Sequence, residues 1–438
     1  MEQFPNLRIF PRTSEINSKG HLVVGGYDVV DLVSEYGTPL YVFDEDTLRE
    51  ICREYVKAFR DIYPKTQVIY AAKAFVNLTL IKLLHEEGLG MDVVSGGEMA
   101  AALAGGMAPE KIYFHGNNKT PQELLEAVEA QIGCVVVDSF HELDILDRVA
   151  ADAGRIQDIL IRVSPGVDAH THSKITTGIL DTKFGFAIGT GHAESALLKA
   201  VSSPNLNLRG IHCHIGSQIF ELGPYQEAIQ IVLAFAAQMR EHGVELTEFS
   251  PGGGFAIAYT RDQNPPSVHE YAEAITASLF QGIRELGLNE PTLMIEPGRS
   301  IVGPAGVALY TVGARKEIPD VRTYVSVDGG MGDNIRPALY EAKYEAVVAN
   351  HMDSAAEDHV TIAGKFCESG DILIEDIDLA PTEPGDIIAI PASGAYCIPM
   401  ASNYNMAPRP AVIMVKDGKG RIIRRRETYA DLMAVDLI

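Results

Sequence analysis

The feature that most constrains the fold is an alternation of short apolar runs with helical patterns, which starts near residue 66. Eight runs have the length of a strand buried on both faces: QVIYAAK, LGMDVVS, KIYFHG, CVVVDS, DILIRVSP, LRGIHCHIG, TEFSPGGGF and PTLMIEPGR. The segments between them carry helix-start signals, such as Ser95 and Thr120, each followed three residues later by Glu. Eight strand-then-helix units predict a (β/α)8 TIM barrel. A doubly wound open sheet is the competing α/β fold, which strand count alone does not exclude.

The first 45 residues and the residues after about 300 have a different sequence pattern from the alternating region. After about residue 300, and again in the first 45 residues, short β-type runs are separated by turn signals. We therefore predict a barrel over residues 46–300 and a second, all-β domain built from residues 1–45 and 301–438. The stretch from 164 to 187 is too long for an ordinary βα loop, so we expect a functional loop there.

Charge and composition indicate a class of partner. The 36 Lys and Arg residues against 59 Asp and Glu give a formal net charge of −23, which argues against nucleic acid or an anionic membrane as partner. No segment approaches the roughly 20 apolar residues that would span a bilayer, and the N-terminus lacks the pattern of a signal peptide. The five scattered cysteines include no CxxC pair, which is typical of a reducing compartment. These features predict a cytoplasmic protein that handles small molecules.

Candidate functional residues cluster where the predicted strands end, which is where barrel active sites lie. They are Lys73, Asp92, Ser95, Arg162, His212, His214, Gly252, Gly253, Gly254, Glu296 and Arg299. Each has an ordinary structural explanation: a lysine extends to solvent, glycines form a tight turn, and histidines fill a core. Cys367 and Glu368, outside the barrel, are by themselves most simply a buried thiol beside a loop acid.

The combination of Lys73, the glycine triplet and Glu296 suits a phosphorylated aldehyde cofactor. Pyridoxal phosphate needs a lysine for its imine, donors for its phosphate and a charged partner for its ring nitrogen. A carboxylate there keeps the nitrogen protonated, which favours carbanion chemistry such as decarboxylation. The alternative is a metal-dependent barrel hydrolase, with His212 and His214 as ligands, a carbamylated Lys73 and further histidines in AHTH at 169–172. It is disfavoured, because Arg299 would oppose a metal and the glycines would have no task, so we predict no metal.

As a set, the motifs resemble the fold-type III pyridoxal-phosphate decarboxylases, in the order in which that family has them. The matching pieces span roughly residues 40 to 410: YAAKAF, MDVVSGGE, HTHSKITTGILDTKFGF, HCHIGSQ, PGGGF, EPGRSIVGPAG, DNIRPALY, CESGDIL and GAYCIPMASNYN. The resemblance implies an alanine-racemase-like barrel, a C-terminal β domain, pyridoxal 5'-phosphate as cofactor, and a homodimer with active sites shared at the interface.

The resemblance also implies roles for individual residues. Lys73 would carry the cofactor, His214 would stack on its ring and Glu296 would pair with the ring nitrogen. The remaining cofactor contacts would come from Asp92, Ser217, Gly253, Gly254, Pro297, Gly298, Arg299 and Tyr396. Arg299, Arg336, Tyr340 and Tyr396 would hold the substrate and its carboxylate, and Glu368 its distal ammonium. Cys367, offered by the partner subunit, would protonate the carbanion.

Within the family, the motifs are most similar to the branch that acts on diaminopimelate. Its substrate carries a distal ammonium and a distal carboxylate, and two arginines provide the planar forks that carboxylates prefer. The expected reaction is decarboxylation of meso-2,6-diaminoheptanedioate to L-lysine, the last step of lysine biosynthesis. The alternatives are the same chemistry on carboxynorspermidine, ornithine, arginine or a carrier-bound amino acid, or a non-catalytic homologue that binds the cofactor. Gly332, Ile335 and Pro399 depart from the family pattern, which usually has serine, proline and serine there.

Overall fold

A computed structural model of the protein describes residues 5–168 and 183–438. The chain forms two compact units. The barrel unit comprises Cys52–Ala256 and Pro265–Gly298, and the sheet unit comprises Met1–Ile51, Ile257–Asn264 and Arg299–Ile438. Most of the loop expected at 164–187, including the AHTH histidines and much of the HTHSKITTGILDTKFGF motif, lies outside the described residues.

Eight parallel strands form a closed barrel in the barrel unit. In chain order they are Thr66–Ala71, Gly90–Val93, Ile112–Phe114, Cys134–Val137, Gln157–Ser164, Leu206–Cys213, Glu248–Ser250 and Thr292–Ile295. Each strand pairs with the next, and the eighth pairs with the first, so the sheet has no open edge. The predicted barrel is confirmed and the open-sheet alternative is wrong. A two-residue strand, Phe186–Ala187, extends the pairing of the fifth strand.

The helices of this region alternate with the barrel strands, and two of them begin directly after the predicted signals Ser95 and Thr120. They are Glu45–Ile62, Leu78–Glu86, Gly96–Ala104, Pro121–Glu129, Phe140–Asp152, His192–Ser202, Gly223–Met239 and Val268–Leu286, with single turns at Ala72–Ala74, Pro109–Lys111 and Arg240–His242. The side chain of Ser95 accepts the N–H of Glu98. Thr120 and Glu123 cap each other's backbone N–H groups, so that capping box is complete. No helix among the described residues has both the length and the apolar character needed to cross a membrane.

A buried ion pair fixes the loop after the third barrel strand. The ammonium of Lys119 donates to Glu142 Oε1 at 2.8 Å and to the carbonyls of Gly116 and Val136 at 2.9 and 2.8 Å. Both side chains are almost fully buried. The hydrogen bonds compensate for the burial of the two charges and join the loop to the helix Phe140–Asp152.

The sheet unit is built mostly from strands, as predicted. Its large sheet contains Leu40–Asp44, Gly306–Ile318, Arg322–Val327, Val347–Val348, Asp358–Ala363, Ile372–Leu379, Ile387–Ile390, Ala411–Lys416 and Lys419–Arg424. A small sheet contains Glu15–Ile16, Leu22–Val24 and Tyr27–Asp28. The unit also has helices at Val29–Tyr36, Arg299–Val302, Arg336–Tyr340 and Tyr429–Met433, and single turns at Pro5–Ile9, Ile398–Met400 and Tyr404–Met406.

The two ends of the chain meet in the large sheet. Leu40–Asp44 pairs with Gly306–Ile318 in the antiparallel sense and with Ala411–Lys416 in the parallel sense. All five residues of Leu40–Asp44 are buried. The N-terminal strand is therefore an interior strand of a sheet that is otherwise made by the C-terminal part of the chain, which agrees with the predicted second domain.

Candidate active site

Lys73 lies just beyond the first barrel strand, on a single helical turn. The strand ends at Ala71, and in the turn Ala72 and Ala74 are buried while Lys73 is exposed. The strand stops two residues before the end of the run QVIYAAK that predicted it, so Lys73 lies outside the strand. The charge of Lys73 still acts on the neighbouring strand ends. It lowers the pKa of His214, after burial the second cause of that shift, and it opposes the upward shift of the Asp92 pKa.

Glu296, at the end of the eighth strand, is a buried and ionised carboxylate. Its Oε1 accepts a hydrogen bond from the Ser250 hydroxyl at 2.7 Å, and its Oε2 is hydrogen-bonded to His212 Nε2 at 3.1 Å. Burial alone would raise the pKa of Glu296. The neighbouring imidazoles of His212 and His115, together with the two hydrogen bonds, outweigh burial and hold the pKa below its ordinary value. Asp92 has the opposite shift, since burial and the charge of Glu296 raise its pKa well above the usual range.

His115 is a member of this cluster that the sequence reasoning missed. It follows the third strand in the run KIYFHG, so its strand-end position was the available signal. Its Nε2 lies 3.8 Å from Glu296 Oε1 and 3.9 Å from Asp92 Oδ1, and burial lowers its pKa well below the ordinary value. The ligand atoms of His115, His212 and Glu296 lie within 4.8 Å of one another.

His214 does not join that cluster. Both histidines of HCH were expected on the sixth strand. That strand ends at Cys213, so it contains His212, whereas His214 lies beyond its end. His214 Nδ1 accepts the N–H of Gly253 at 3.3 Å, and burial is the main cause that lowers its pKa. The hydrolase alternative needed His212 and His214 as a ligand pair, and the structure instead turns His214 toward the glycine loop.

The glycine triplet forms a turn that only glycine fits. Gly254 has a φ of +101°, and a Cβ there would lie 2.4 Å from the carbonyl oxygen of Gly216. A Cβ on Gly253 would lie 2.1 Å from the carbonyl oxygen of Glu296. The Tyr225 hydroxyl donates to the carbonyl of Gly253 at 2.8 Å. The loop is therefore fixed beside the end of the eighth strand, with bare backbone as a phosphate site requires.

The remaining predicted cofactor residues of the barrel unit lie along the same strand ends. Pro297 accepts the N–H of Ala71 at 3.2 Å, and a Cβ on Gly298 would lie 3.0 Å from the Cβ of Ala71. Ser217 lies half-buried in the segment after the sixth strand. The ends of the first, second, sixth, seventh and eighth strands thus bring together an amine, an ionised carboxylate and glycine backbone. These are the groups that pyridoxal phosphate requires, so the residues present fit that cofactor.

Two buried guanidinium groups share one tyrosine in the sheet unit. Arg299 Nη1 donates to the Tyr259 hydroxyl at 2.5 Å, and the Arg336 guanidinium lies 4.6 Å from the centre of the Tyr259 ring. Arg336 also donates to the Tyr344 hydroxyl. No ion pair joins Arg336 to a carboxylate among residues 5–168 and 183–438. Buried charges are normally paired, so the Arg336 guanidinium is suited to an incoming carboxylate. The sequence reasoning missed Tyr259 and Tyr344, for which it held no signal.

Tyr396 and Tyr340 also belong to the sheet unit. The Arg299 guanidinium lies 4.6 Å from the centre of the Tyr396 ring. Tyr396 has a φ of +63°, a conformation that a bulky residue adopts only under strain and that often marks functional sites. Tyr340 is the last residue of the helix that Arg336 begins and is half-buried. Tyr340 is thus close to Arg336 along the chain, and Tyr396 is close to Arg299 in space.

Cys367 and Glu368 lie on an exposed loop of the sheet unit. Cys367 is the exposed cysteine, and the other four are buried. The explanation of Cys367 as a buried thiol is therefore wrong. Glu368 is also exposed, and its Oε1 accepts the N–H of Ser369 at 3.0 Å.

Comparison with known proteins identifies the family. The family described as pyridoxal-dependent decarboxylase, pyridoxal binding domain, matches residues 48–303. The chain is 48% identical to diaminopimelate decarboxylase of Bacillus subtilis over 97% of both chains, and 44% identical to that of Synechocystis over 99% of this chain and 94% of the relative. The crystal structure of diaminopimelate decarboxylase from M. jannaschii in complex with L-lysine is 38% identical, with a TM-score of 0.92 over 98% of both chains. The chain belongs to the diaminopimelate decarboxylases, a family of pyridoxal-dependent decarboxylases.

Proposed function

We propose that this enzyme decarboxylates meso-2,6-diaminoheptanedioate to L-lysine and carbon dioxide, with pyridoxal 5'-phosphate as its cofactor. The observation that carries the substrate is the pair of buried guanidinium groups of Arg299 and Arg336, joined through Tyr259. Ornithine and arginine have no distal carboxylate, and two buried cations would repel their distal positive charge. Diaminopimelate offers a distal carboxylate, the group that buried guanidinium groups bind best.

The barrel residues would hold the cofactor. Lys73 would be the covalent attachment point, with Asp92, His214 and Ser217 around the ring. The backbone of Gly253, Gly254, Pro297, Gly298 and Arg299, with Tyr396, would surround the phosphate. When bound, pyridoxal phosphate supplies an electron sink for the bonding pair left as carbon dioxide departs. Glu296, ionised and fixed by Ser250 and His212, would keep a proton on the ring nitrogen.

The residues of the sheet unit would bind substrate and deliver a proton. Arg299, Arg336 and Tyr340 would hold the distal carboxylate, and Glu368 the distal ammonium. The Cys367 thiol would donate its proton to the α-carbon after carbon dioxide leaves, a role worth about 10²–10⁴-fold for a positioned acid. The exposure of Cys367 and Glu368 supports a site to which they are offered from outside.

We further propose a cytoplasmic homodimer in which each active site uses both chains. The barrel of residues 46–300 would hold the cofactor, and residues 1–45 and 301–438 would complete the site and form the interface. Mixing the inactive variants Lys73→Ala and Cys367→Ala tests the sharing. Random exchange gives half heterodimers, each with one intact site, so about a quarter of the original activity should return. No recovery, under conditions in which subunits exchange, contradicts the shared site.

The substrate is tested by carbon dioxide release over a panel of amino acids. Release from meso-diaminopimelate, with at least about 100-fold lower kcat/KM for ornithine and arginine, is expected from a loss of two charge-assisted contacts. Release from ornithine without release from meso-diaminopimelate would contradict the substrate. Purified protein supplied with cofactor should absorb in the visible range, and Lys73→Ala should not, which tests the cofactor separately.

A further inference from the structure

Two loops of the sheet unit begin at the carboxyl ends of two neighbouring strands of its large sheet. The strands Arg322–Val327 and Asp358–Ala363 are parallel neighbours, so the loops that follow them, 328–335 and 364–371, begin side by side. The first loop leads into the helix of Arg336, and the second carries Cys367 and Glu368. The N–H of Lys365 donates to the carbonyl of Gly329 at 3.0 Å, so the loops are in direct contact.

A single buried carboxylate joins these loops. Asp371 is 3% exposed, and its Oδ1 accepts the N–H of Met331 at 2.6 Å while its Oδ2 accepts the N–H of Phe366 at 2.7 Å. Each oxygen thus holds the backbone of a different loop. Hydrogen bonds to an ionised carboxylate are short and roughly twice as strong as neutral ones. The carboxylate closes its own loop and attaches it to the neighbouring one.

The backbone approaches the Asp371 carboxylate this closely because glycine occupies the contact positions. A Cβ on Gly330 would lie 2.4 Å from Asp371 Oδ1, and one on Gly364 would lie 2.2 Å from Oδ2. A Cβ on Gly332 would lie 2.2 Å from Phe366 Cζ. Gly332 is one of the departures from the family pattern, and the structure gives its reason: the Phe366 ring occupies the space that a serine side chain would need.

A third loop completes the contact around Cys367. The N–H of Cys367 donates to Asn405 Oδ1 at 3.0 Å, and the Phe366 and Tyr404 rings lie 6.1 Å apart. The N–H of Ser402 donates to the carbonyl of Gly332 at 2.8 Å. The backbone of Cys367 is therefore held from both sides, while its side chain stays exposed.

We propose that Asp371 is a positioning residue that sets the location of the Cys367 thiol and the Glu368 carboxylate. The proposal rests on the proposed function, in which these two side chains act on the substrate. A proton donor works only within hydrogen-bond reach of its acceptor atom, and misplacement by about 1 Å can cost about 100-fold in rate. Asp371 itself touches no substrate; it acts through the loop that it holds.

The test is Asp371→Asn in the holoenzyme. The amide keeps the shape but has only one acceptor oxygen. Its NH2 group would face a backbone N–H, and because both groups are donors, that hydrogen bond is lost. We expect kcat for meso-diaminopimelate to fall by at least about tenfold. In a Cys367→Ala background the same change should lower kcat by less than about threefold, because the positioned donor is already absent. Asp378→Asn, a matched change at an exposed carboxylate, should leave kcat unchanged.

A second readout does not depend on activity. Because Cys367 is the exposed cysteine of the five, the rate of thiol modification in the folded holoenzyme reports on its surroundings. Asp371→Asn should change that rate several-fold and Asp378→Asn should not. If the original enzyme releases no carbon dioxide from meso-diaminopimelate, the proposed function fails. The rate of Cys367 modification then tests by itself whether Asp371 positions that thiol. Equal losses of kcat in both backgrounds, or an unchanged modification rate, would overturn the proposal.

A second variant covers the case in which Asp371→Asn does not fold. Gly332→Ser displaces Phe366 from the other side without altering the carboxylate. It should lower kcat and change the modification rate of Cys367 in the same way. Adding Phe366→Ala makes room for the serine and should restore both toward the original values. Normal kcat and modification rate in Gly332→Ser would count against the proposal.

Discussion

Replacing Asp333 by asparagine should remove a pH-dependent contribution to the stability of the sheet unit. Asp333 is 4% exposed, and its Oδ2 accepts hydrogen bonds from the hydroxyls of Tyr41 and Tyr310 at 3.0 and 2.5 Å. Its Oδ1 accepts the N–H of Gly330 at 2.9 Å. Burial raises the pKa of this carboxyl to about 6, although the hydrogen bonds act to lower it. Asparagine keeps the shape, and its amide can donate to a tyrosine hydroxyl, which also accepts.

The sign and size of the effect follow from the shift. Because the folded pKa of Asp333 lies above its ordinary value of 3.8, the native state binds the proton more tightly than the unfolded state. The stability contribution is fully present below about pH 4 and is lost as pH rises through about 6. A shift of about 2 pKa units corresponds to roughly 3 kcal/mol, of which about 2 kcal/mol is lost between about pH 4.5 and 7.5. For a unit of about 200 residues, this is about 4–8 °C in Tm.

The assay is the Tm of the original protein and of Asp333→Asn, measured from pH 4.5 to 7.5 at equal cofactor loading. The difference, variant minus original, should rise by about 4–8 °C toward neutral pH, because only the original loses the contribution. Asp152→Asn removes an exposed carboxylate at the end of the helix Phe140–Asp152 and should give a flat difference. Parallel pH curves for the original protein and Asp333→Asn would refute the reasoning.

Three further changes test the barrel unit. Gly253→Ala puts a Cβ 2.1 Å from the carbonyl of Glu296, so we expect little folded protein or a large loss of cofactor affinity by absorbance titration, and normal binding would contradict the close approach. Ser250→Ala removes a donor to ionised Glu296, a contact worth about 1.5–3 kcal/mol, so cofactor should bind at least about tenfold more weakly, and unchanged affinity would speak against the network. Lys119→Met leaves Glu142 buried without its cation and should cost about 3–5 kcal/mol by urea unfolding, largely recovered by adding Glu142→Leu; a loss below about 1 kcal/mol would disagree with a buried pair.

The barrel was predictable because its strands carry a signal in local sequence. Strands buried on both faces read as continuous apolar runs, and the residue after each run falls at the catalytic end, which is how Glu296 and the glycine triplet were found. The sequence indicates the last residue of a strand less precisely than it indicates that a strand is present. Ala72 continues the apolar pattern past the real end at Ala71, so the predicted run QVIYAAK reaches Lys73, which lies beyond the strand.

Contacts between distant segments left no signal in the sequence. Tyr259 meets Arg336 across almost 80 residues, and only the folded sheet unit brings the two together. In the same way, no local signal marks the reason for Gly332, which is the Phe366 ring in the space beside it. Periodicity and end signals describe single elements, whereas pairing of this kind depends on the packing of several.

The interior position of Leu40–Asp44 sets the order in which the chain can fold during synthesis. This strand is made early, but its parallel partner Ala411–Lys416 leaves the ribosome about 370 residues later. At about 5–20 residues per second, this five-residue strand waits about 20–75 s for that partner, while the barrel unit is already complete. Chain termination before residue 411 would leave this strand with an unpaired edge, which is a template for aggregation. The nascent chain therefore depends on a strand made about 370 residues later to cover one edge of Leu40–Asp44.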